Sequence, residues 1–281
     1  MARENFKMEH SLSLIEYQNL EDQVKAMERD GYVYFPNVLK AEEIAELKAG
    51  MDALEPIKEN FDHYSTPEKD IVGKKNKQKF LQKHIKCIFN HNALFLNYID
   101  RSPIIELTEA VHGEECHIIG QSGWVTGQGR PDQELHVDWL PVPLPEEVIC
   151  KLNIIVPIFI TTAHFYLDDI DEEIGPTKFV PGSHRSGRTP NGDTTWNGVK
   201  EQSIHCRAGD VIQFRSEVWH RGSANKSRKT RYLMQVHYSH RMITQKFPPY
   251  PHRFRFNESI LAQATPRQRR LLGEHKSSNY D

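Results

Sequence analysis

The sequence predicts a mainly β fold with a helical cover, of the α+β class, in which N-terminal helices pack on a sheet. Three observations lead to this prediction. Apolar residues recur at helical spacing between residues 20 and 54, whereas Lys151–Thr162 is an almost continuous apolar and β-branched segment. Two later segments, 208–214 and 231–238, have the composition of strands, and the first begins with a turn.

The N-terminal helices are predicted from their apolar spacing and from their ends. The first runs from Leu20 to Asp30 and stops at Gly31, a residue type that is common at helix C-termini. We expect the apolar faces of both helices to cover one side of the sheet. The face of the second helix is formed by Ile44, Leu47, Met51 and Leu54.

Lys151–Thr162 is interpreted as a buried strand. An apolar segment this short is typical either of a strand in a sandwich or of a short buried helix. Pro157 makes the helix the poorer interpretation, because proline lacks the amide hydrogen that an internal helical residue donates.

The chain contains two His-x-acid motifs, and the motif of His112 and Glu114 is interpreted as structural. It directly follows a predicted helix over residues 102–111 that ends at Gly113. A histidine at the C-terminus of a helix is stabilised by the negative end of the helix dipole, which explains His112 without a metal.

The second motif consists of His136 and Asp138, between a Gly-rich loop and Pro141. In a short extended segment, residues i and i+2 project from the same face, so both side chains are able to bind one ion. Taken alone, this motif is more typical of a surface loop than of a metal site.

His220 and Arg231 change the interpretation of that motif. They lie in successive predicted strand segments, and a hairpin-like return would place the arginine beside the histidine. Two histidines and one carboxylate leave coordination positions open, as in non-heme Fe(II) oxygenases that bind a 2-oxo acid and O₂. Arginine offers a planar charged fork to the far carboxylate of such an acid. Singly, His220 is also explained as a half-buried strand-end residue and Arg231 as a surface charge.

These residues occur within a longer pattern that resembles the phytanoyl-CoA dioxygenase family. The resemblance extends from about Asp30 to the C-terminus, and its most specific parts are the Pro-Gly-Ser-His segment and the arginine that follows His220. Ile174 stands where the family usually has asparagine before a Gly-Pro pair, a departure that affects a turn rather than a metal ligand. The matching segments are Gly31–Pro36, His136-x-Asp138, Ile174–Arg185, Ala208–Asp210, His220, Arg231 and Arg267–Gly273.

The resemblance implies a double-stranded β-helix, a jelly-roll or cupin-like fold, that binds Fe(II), 2-oxoglutarate and O₂ at its mouth. It implies that Arg231 binds the far carboxylate of 2-oxoglutarate. From their positions in the chain, we expect Gln121 to contact the co-substrate and Trp139 to line the substrate pocket; an inter-strand amide and a packing residue are the alternatives. The implied metal ligands, catalytic through the bound iron, are His136, Asp138 and His220.

The implied reaction is oxidation of a substrate C–H bond, usually hydroxylation, with release of succinate and CO₂. Asp138 disfavours halogenation, because related halogenases replace this carboxylate with a small residue. Desaturation, cyclisation and epimerisation stay open. We expect a small-molecule substrate from secondary metabolism, such as an alkaloid, a toxin or an antibiotic. The alternatives are a non-catalytic, cupin-like metal-binding or sensing module and an oxygenase that acts on acyl-CoA or on protein side chains.

Length and composition predict one domain over residues 1–281, because no Gly/Ser-rich linker or repeat divides the chain. We expect a helical part over about 15–113, a jelly-roll core over about 114–245 and an extension over about 246–281. The polar segment Glu55–Lys83 is predicted to be either a mobile lid or a solvated connection.

Charge and hydropathy exclude several kinds of partner. The formal net charge is −2 and the basic residues are dispersed, which argues against nucleic acid binding. We find neither a segment long enough to cross a membrane nor the apolar core of a signal peptide, so we expect a cytoplasmic protein. The four cysteines lack zinc-type spacing and are predicted to be free thiols.

Overall fold

The largest sheet of the computed structural model has six strands and is antiparallel throughout. The structure describes residues 12, 14–54, 81–145, 148, 156–248 and 253–277. Its strands, numbered in chain order, are β1 (Tyr32–Phe35), β2 (Gln82–Lys86), β3 (His117–Thr126), β4 (Ile160–Tyr166), β9 (Val211–Arg215) and β11 (Arg231–Ser239). Their spatial order in the sheet is β1-β9-β4-β11-β3-β2.

A three-stranded sheet lies against one face of the six-stranded sheet. Its strands, in spatial order, are β10 (His220–Gly222), β5 (Thr177–Phe179) and β8 (Gln202–Ser203). The rings of Phe179 and Phe214 meet between the two sheets, with centroids 4.8 Å apart, within an apolar cluster that also contains Tyr166. A separate hairpin is formed by β6 (Thr195–Trp196) and β7 (Val199–Lys200).

Helices cover the other face of the six-stranded sheet, as the apolar spacing predicted. Met27, Leu47 and Ile104 are fully buried in one cluster with Phe165 and Val236 of the sheet. The helices are α1 (Leu20–Arg29), α2 (Ala41–Ala53), α3 (Ile104–His112), α4 (Glu258–Leu261) and α5 (Pro266–Leu271), with 3₁₀ helices at Ile88–Asn90, Ala93–Tyr98 and Ser183–Ser186.

Alternation along β11 gives its two faces different characters. Met234 and Val236 are fully buried in the core beneath the helices. Leu233 packs instead into the cluster between the sheets, and Gln235 and His237 project to that same side because side chains alternate along a strand. The face of β11 toward the three-stranded sheet therefore carries polar groups in the interior of the protein.

The strand predicted over Lys151–Thr162 is displaced toward the C-terminus. β4 begins at Ile160, residues 156–159 are not in a strand, and residues 151–155 lie outside the described part of the chain. Pro157 accounts for the late start, because proline cannot donate a ladder hydrogen bond. In addition, β1 and β2 join the sheet although both fall within the part predicted to be helical.

The predicted hairpin between His220 and Arg231 is wrong, because β10 and β11 belong to different sheets. The connection over residues 223–230 passes from the three-stranded to the six-stranded sheet. The side-chain amide of Asn225 holds this connection by donating to the carbonyl of Thr126 at 3.1 Å. The histidine and the arginine therefore come from opposite sheets.

The Pro-Gly-Ser-His turn connects α1 to the segment before β10. Nε2 of His184 donates to the carbonyl of Glu28 at 3.1 Å, at the C-terminal end of α1. The hydroxyl oxygen of Ser183 accepts a hydrogen bond of 2.8 Å from the amide of Trp219. The side chains of this turn therefore hold both Glu28 and Trp219 by hydrogen bonds.

Three further sequence predictions concern thiols, membrane spans and the polar segment. Cys87, Cys116 and Cys206 are buried free thiols, as predicted, and Cys150 lies outside the described residues. No helix in the described ranges is long and apolar enough to cross a membrane. Residues 55–80 lie outside the described part of the chain, so the lid stays a prediction, whereas Gln82 and Lys83 belong to β2.

We predict that Gly175→Ala lowers the free energy of unfolding by about 2–4 kcal/mol. Gly175 has φ of +89°, and an added Cβ would lie 2.4 Å from the carbonyl oxygen of Ala224 and 2.6 Å from that of Ser223. The control is Gly192→Ala, where φ is +95° but nothing lies within 4 Å of the added Cβ. This control should cost only about 1 kcal/mol. Urea denaturation measures both, and equal losses would contradict the steric argument.

Candidate metal centre

Main-chain hydrogen bonds bring the two candidate motifs together. The amide of His136 donates to the carbonyl of His220 at 2.9 Å, and the amide of His220 donates to the carbonyl of His136 at 2.8 Å. The amide of Asp138 donates to the carbonyl of Ser216 at 3.1 Å. The segment 136–138 is therefore held extended beside β10, and its first and third side chains point the same way, as the sequence predicted.

The side chains of His136, Asp138 and His220 converge on one point. One ligand atom from each lies within 4.8 Å of the others, and the two histidine rings have centroids 4.5 Å apart. Nε2 of His220 is 3.6 Å from Oδ1 of Asp138. Within the described ranges, no other group of three His, Cys, Asp or Glu side chains meets this criterion. Two imidazoles and one carboxylate on one side of a point suit a non-heme ferrous ion.

Both histidines are held in the tautomer that a metal requires. Nδ1 of His136 lies 2.7 Å from the carbonyl oxygen of Glu134, and Nδ1 of His220 lies 2.9 Å from that of Val218. A carbonyl only accepts, so each Nδ1 carries the proton and donates it. In the neutral form of each ring the lone pair is therefore on Nε2, which faces the point of convergence and is the atom available to a metal.

Burial and charge prepare these groups for a cation. Burial, followed by the positive influence of His220, lowers the pKa of His136. Burial opposes ionisation of Asp138, but the attraction of His220 outweighs it and holds the pKa of this carboxyl well below its usual range. Burial acts to lower the pKa of His220, but the attraction of Asp138 is stronger, so the pKa is raised overall. Asp138 is thus an ionised carboxylate that a divalent cation would stabilise.

A hydrogen-bonded chain orients the Asp138 carboxylate. The hydroxyl of Thr162 lies 3.4 Å from Oδ2 of Asp138 and 2.9 Å from Nδ1 of His237. Because the carboxylate only accepts, the hydroxyl donates to it and accepts from the protonated Nδ1 of His237. Burial lowers the pKa of His237 to about 4, so its ring is neutral at pH 7. Such a second layer of partners is what fixes metal ligands in place.

Trp139 lies at the edge of the same group, close to where the sequence placed it. Its ring is edge-on to His237, with centroids 5.0 Å apart, and it is half-buried. Nζ of Lys246 lies over the same ring, 5.3 Å from its centroid. Trp139 therefore borders the metal residues, and its contact with a substrate stays a prediction.

Arg231 begins β11 on the polar face of that strand. Burial is the main influence on its guanidinium and lowers its pKa, although Tyr166 and Asp168 act in the opposite direction. Its hydrogen bond to the carbonyl of Ile174 is long, at 3.5 Å. Among the residues that the structure describes, no carboxylate forms an ion pair with Arg231. A partly buried guanidinium in this state is suited to a carboxylate ligand.

The structure corrects the prediction for Gln121. Its side chain is only 1% exposed, and its Nε2 donates to the carbonyl of Phe95 in a 3₁₀ helix at 2.9 Å. Gln121 therefore faces the helical cover, on the opposite side of the sheet from His237 and Asp138. Gln121 lies on a strand, as predicted, but its side chain projects from the face opposite to the metal residues.

His112 is placed as a structural residue, in agreement with the sequence. Its two ring nitrogens lie 2.9 Å from the carbonyl of Ile158 and 2.9 Å from the hydroxyl of Thr161. Burial is the main cause that lowers the pKa of His112 to about 3, so the ring is neutral. Both nitrogens are occupied by these partners, which leaves none for a metal.

Several residues of the site were missed by the sequence argument. They are polar residues at alternate positions of two buried strands, a pattern that is visible in the sequence as Thr-x-His on β4 and Gln-x-His on β11. Each was overlooked because a polar residue in a strand is ordinarily taken to face solvent. The residues are Thr162, His164, Gln235 and His237.

Comparisons with known proteins identify relatives of this fold. The family model described as "Phytanoyl-CoA dioxygenase (PhyH)" matches residues 27–233. Two curated relatives, the uncharacterized proteins Mb1539 of Mycobacterium bovis and Rv1501 of Mycobacterium tuberculosis, are each 21% identical over 196 residues. These matches cover 67% of this chain and 66% of each relative, so the chain spans just under two thirds of the relatives' length.

Solved structures with similar folds include two enzymes of nogalamycin biosynthesis. The 2-oxoglutarate-dependent epimerase SnoN of nogalamycin biosynthesis has a TM-score of 0.59 at 21% identity, covering 79% of this chain and 80% of SnoN. The carbocyclase SnoK has a TM-score of 0.56 at 18% identity, covering 78% and 83%. HygX of Streptomyces hygroscopicus, with nickel and 2-oxoglutarate bound, has a TM-score of 0.57 at 17% identity, covering 80% and 88%. The chain therefore has the jelly-roll fold that was predicted.

We predict that His136→Ala, Asp138→Ala and His220→Ala each reduce Mn(II) or Fe(II) affinity by at least tenfold, because each removes one of three protein ligands. Calorimetry under anaerobic conditions measures the affinity.

The control is His112→Ala, which removes the histidine of the other motif. It should lower stability, since it leaves the carbonyl of Ile158 without its donor and removes one of the two partners of the Thr161 hydroxyl, but it should leave metal affinity unchanged. Loss of metal binding in His112→Ala alone would show that the wrong motif was chosen.

Proposed function

The chain belongs to the phytanoyl-CoA dioxygenase family, whose enzymes use Fe(II), 2-oxoglutarate and O₂, and we propose that it hydroxylates a C–H bond of a small molecule. The observation that carries the proposal is the convergence of His136, Asp138 and His220, with both free Nε2 atoms facing the same point. When bound there, Fe(II) with 2-oxoglutarate and O₂ supplies the oxidising chemistry, which releases succinate and CO₂.

His136, Asp138 and His220 would hold the metal on one side and leave its other side open. Glu134 and Val218 fix the two rings through their carbonyls, and Thr162 orients the carboxylate, so little reorganisation accompanies binding. The side chains thus provide a pre-formed site, and the family's ferrous ion fits its donor set of two nitrogens and one oxygen.

Arg231 would bind the far carboxylate of 2-oxoglutarate. It lies at one end of β11, while His237, beside the metal residues, lies six residues along the same strand and on the same face. A five-carbon diacid held between the metal and Arg231 would therefore run along β11. The absence of a carboxylate partner for Arg231 within the described ranges supports this assignment.

Aromatic residues would exclude water from one side of the metal. Phe214 and Phe179 have ring centroids 5.0 Å and 5.8 Å from that of His220, and both are fully buried. Trp139 lies edge-on to His237, which shares the hydroxyl of Thr162 with Asp138. Water exclusion protects a reactive site from side reactions and strengthens its electrostatic interactions. We therefore place the substrate on the side of Trp139.

The reaction outcome is proposed to be hydroxylation, and epimerisation or ring closure is the alternative. Solved relatives of similar fold include an epimerase and a carbocyclase, so the fold does not select one outcome. The candidate metal ligands include the carboxylate of Asp138, which disfavours halogenation. Hydroxylation needs no group beyond those described, whereas epimerisation needs a hydrogen donor on the opposite side of the substrate carbon.

The substrate is proposed to be a small natural product, such as an alkaloid, a toxin or an antibiotic. SnoN was solved with nogalamycin RO and HygX with hygromycin B, both small molecules, and these structures support the proposal. An acyl-CoA thioester and a protein side chain remain the alternatives. A non-catalytic cupin-like module is disfavoured by Arg231, which a metal-binding protein without a co-substrate does not require.

The test is release of succinate from 2-oxoglutarate by the Fe(II)-loaded protein across a panel of small natural products, acyl-CoA thioesters and peptides. We expect stimulation by a member of the first class, with a mass increase of one oxygen atom in that compound. Stimulation only by acyl-CoA or peptides would overturn the substrate class. Metal binding without any 2-oxoglutarate binding would favour the non-catalytic module.

We predict that Arg231→Lys weakens 2-oxoglutarate binding about tenfold or more, because lysine replaces a bidentate fork with a point charge. The Kd for 2-oxoglutarate is measured by calorimetry on the Mn(II)-loaded protein. The matched control is Arg267→Lys, an exposed arginine paired with Glu109 on the protein surface, which should leave the Kd unchanged. An unaltered Kd in Arg231→Lys would remove this residue from the site.

A further inference from the structure

A chain of hydrogen bonds crosses the metal-facing side of three adjacent strands. Nε1 of Trp124 on β3 donates to Oε1 of Gln235 on β11 at 2.8 Å. Nε2 of Gln235 lies 2.8 Å from Nε2 of His164 on β4. Trp124 is itself held in place by stacking on His84, with ring centroids 3.6 Å apart and planes 10° from parallel.

The direction of each hydrogen bond in this chain is determined by chemistry. The indole of Trp124 only donates, so the amide oxygen of Gln235 must face it and the amide nitrogen must face His164. That amide nitrogen also only donates, so Nε2 of His164 must accept and carries no proton. Burial holds the pKa of His164 well below its usual value, so the ring is neutral and its single proton is on Nδ1.

This protonated Nδ1 of His164 has no partner. The side chain is 3% exposed, and Nδ1 is a buried nitrogen without a hydrogen-bond acceptor among the described residues. A buried donor that stays unpaired destabilises the folded state, and native proteins rarely retain one without a function or a ligand. His164 therefore holds a donor that is ready for an acceptor from outside the chain.

The position of His164 shows which acceptor it meets. His164 pairs with Gln235 in the sheet, while Thr162, one inward-facing position along, pairs with His237 beside the metal residues. In the other direction along β11 lies Arg231. The electrostatic neighbours of His164 are His220 and Asp138 at one end and Arg231 at the other. His164 thus lies between the two ends of the proposed co-substrate site.

We propose that Nδ1–H of His164 donates a hydrogen bond to an oxygen atom of the bound 2-oxo acid, and that Trp124 and Gln235 fix the tautomer that makes this possible. The inference rests on the proposed function, because it concerns the same site. It assigns a co-substrate-binding role to His164 and a positioning role to Gln235 and Trp124. None of these three residues binds the metal.

The first test measures 2-oxoglutarate binding by anaerobic calorimetry on the Mn(II)-loaded protein. His164→Leu removes the donor and should weaken binding about tenfold to a hundredfold, the range for a hydrogen bond to a charged group. His164→Asn is the matched control, because its side-chain nitrogen can occupy the position of Nδ1 and donate in its place. It should bind within about threefold of the natural protein. Metal affinity should be unchanged in both variants.

The second test observes His164 in the natural protein and uses a variant only to assign its signal. The protein is labelled with ¹⁵N-histidine and studied in its metal-free and Zn(II)-loaded forms by nuclear magnetic resonance. The His164 signal, assigned by its loss in His164→Asn, should show the Nδ1–H tautomer and should shift when 2-oxoglutarate is added. A proton on Nε2, or no response to 2-oxoglutarate, would overturn the inference.

The outcomes separate this inference from the proposed function. If the natural protein binds neither metal nor 2-oxoglutarate, the proposed function fails. If the natural protein binds both, and His164→Leu binds 2-oxoglutarate equally well, only the role of His164 fails. Equal weakening by His164→Leu and His164→Asn would also overturn it, because it would show that the shape of the ring matters and its donor does not.

Discussion

The site depends on the two reciprocal main-chain hydrogen bonds between His136 and His220. They join the segment 136–138, which has little regular structure, to β10 of the three-stranded sheet. They therefore fix the backbone positions from which both imidazole side chains extend. Because the bonds are made by the backbone, they do not depend on the side chains that bind the metal. The backbone positions of the two histidines are therefore set before any metal is present. The carbonyls of Glu134 and Val218 then select the tautomer of each ring.

The two faces of the six-stranded sheet differ in polarity, although the same strands form both. Its outer face is apolar and packs on helices, and its inner face carries neutral histidines and an amide that are buried or half-buried. Such groups are costly to bury unless they bond to each other. The chains Trp124-Gln235-His164 and His237-Thr162-Asp138 meet this requirement with few unpaired atoms. In these two chains Nδ1 of His164 is the buried atom without a hydrogen-bond partner, whereas the other polar side-chain atoms are not left buried and unpaired.

Much of this arrangement could be predicted from the sequence, but not the side of each strand. His136 and Asp138 were identifiable because i and i+2 share a face in any extended segment. Gln121 was not, since its side depends on the register of β3, and the pairing of β3 with β11 shifts between His237 and Tyr238. A shift of one residue moves a side chain to the other face. The hairpin between His220 and Arg231 failed for a related reason, because sequence separation alone does not reveal that a connection changes sheets.

The order of the strands in the sheet has a consequence for synthesis of the chain. β11, the last of the described strands to be made, lies in the middle of the sheet between β4 and β3, while the hydroxyl of Tyr34 in β1 bonds to Asp210, which is 176 residues away in sequence. Until β11 emerges from the ribosome, β3 and β4 both have an open edge, and open edges promote aggregation. The sheet therefore closes only when the last of its described strands has paired with both β3 and β4.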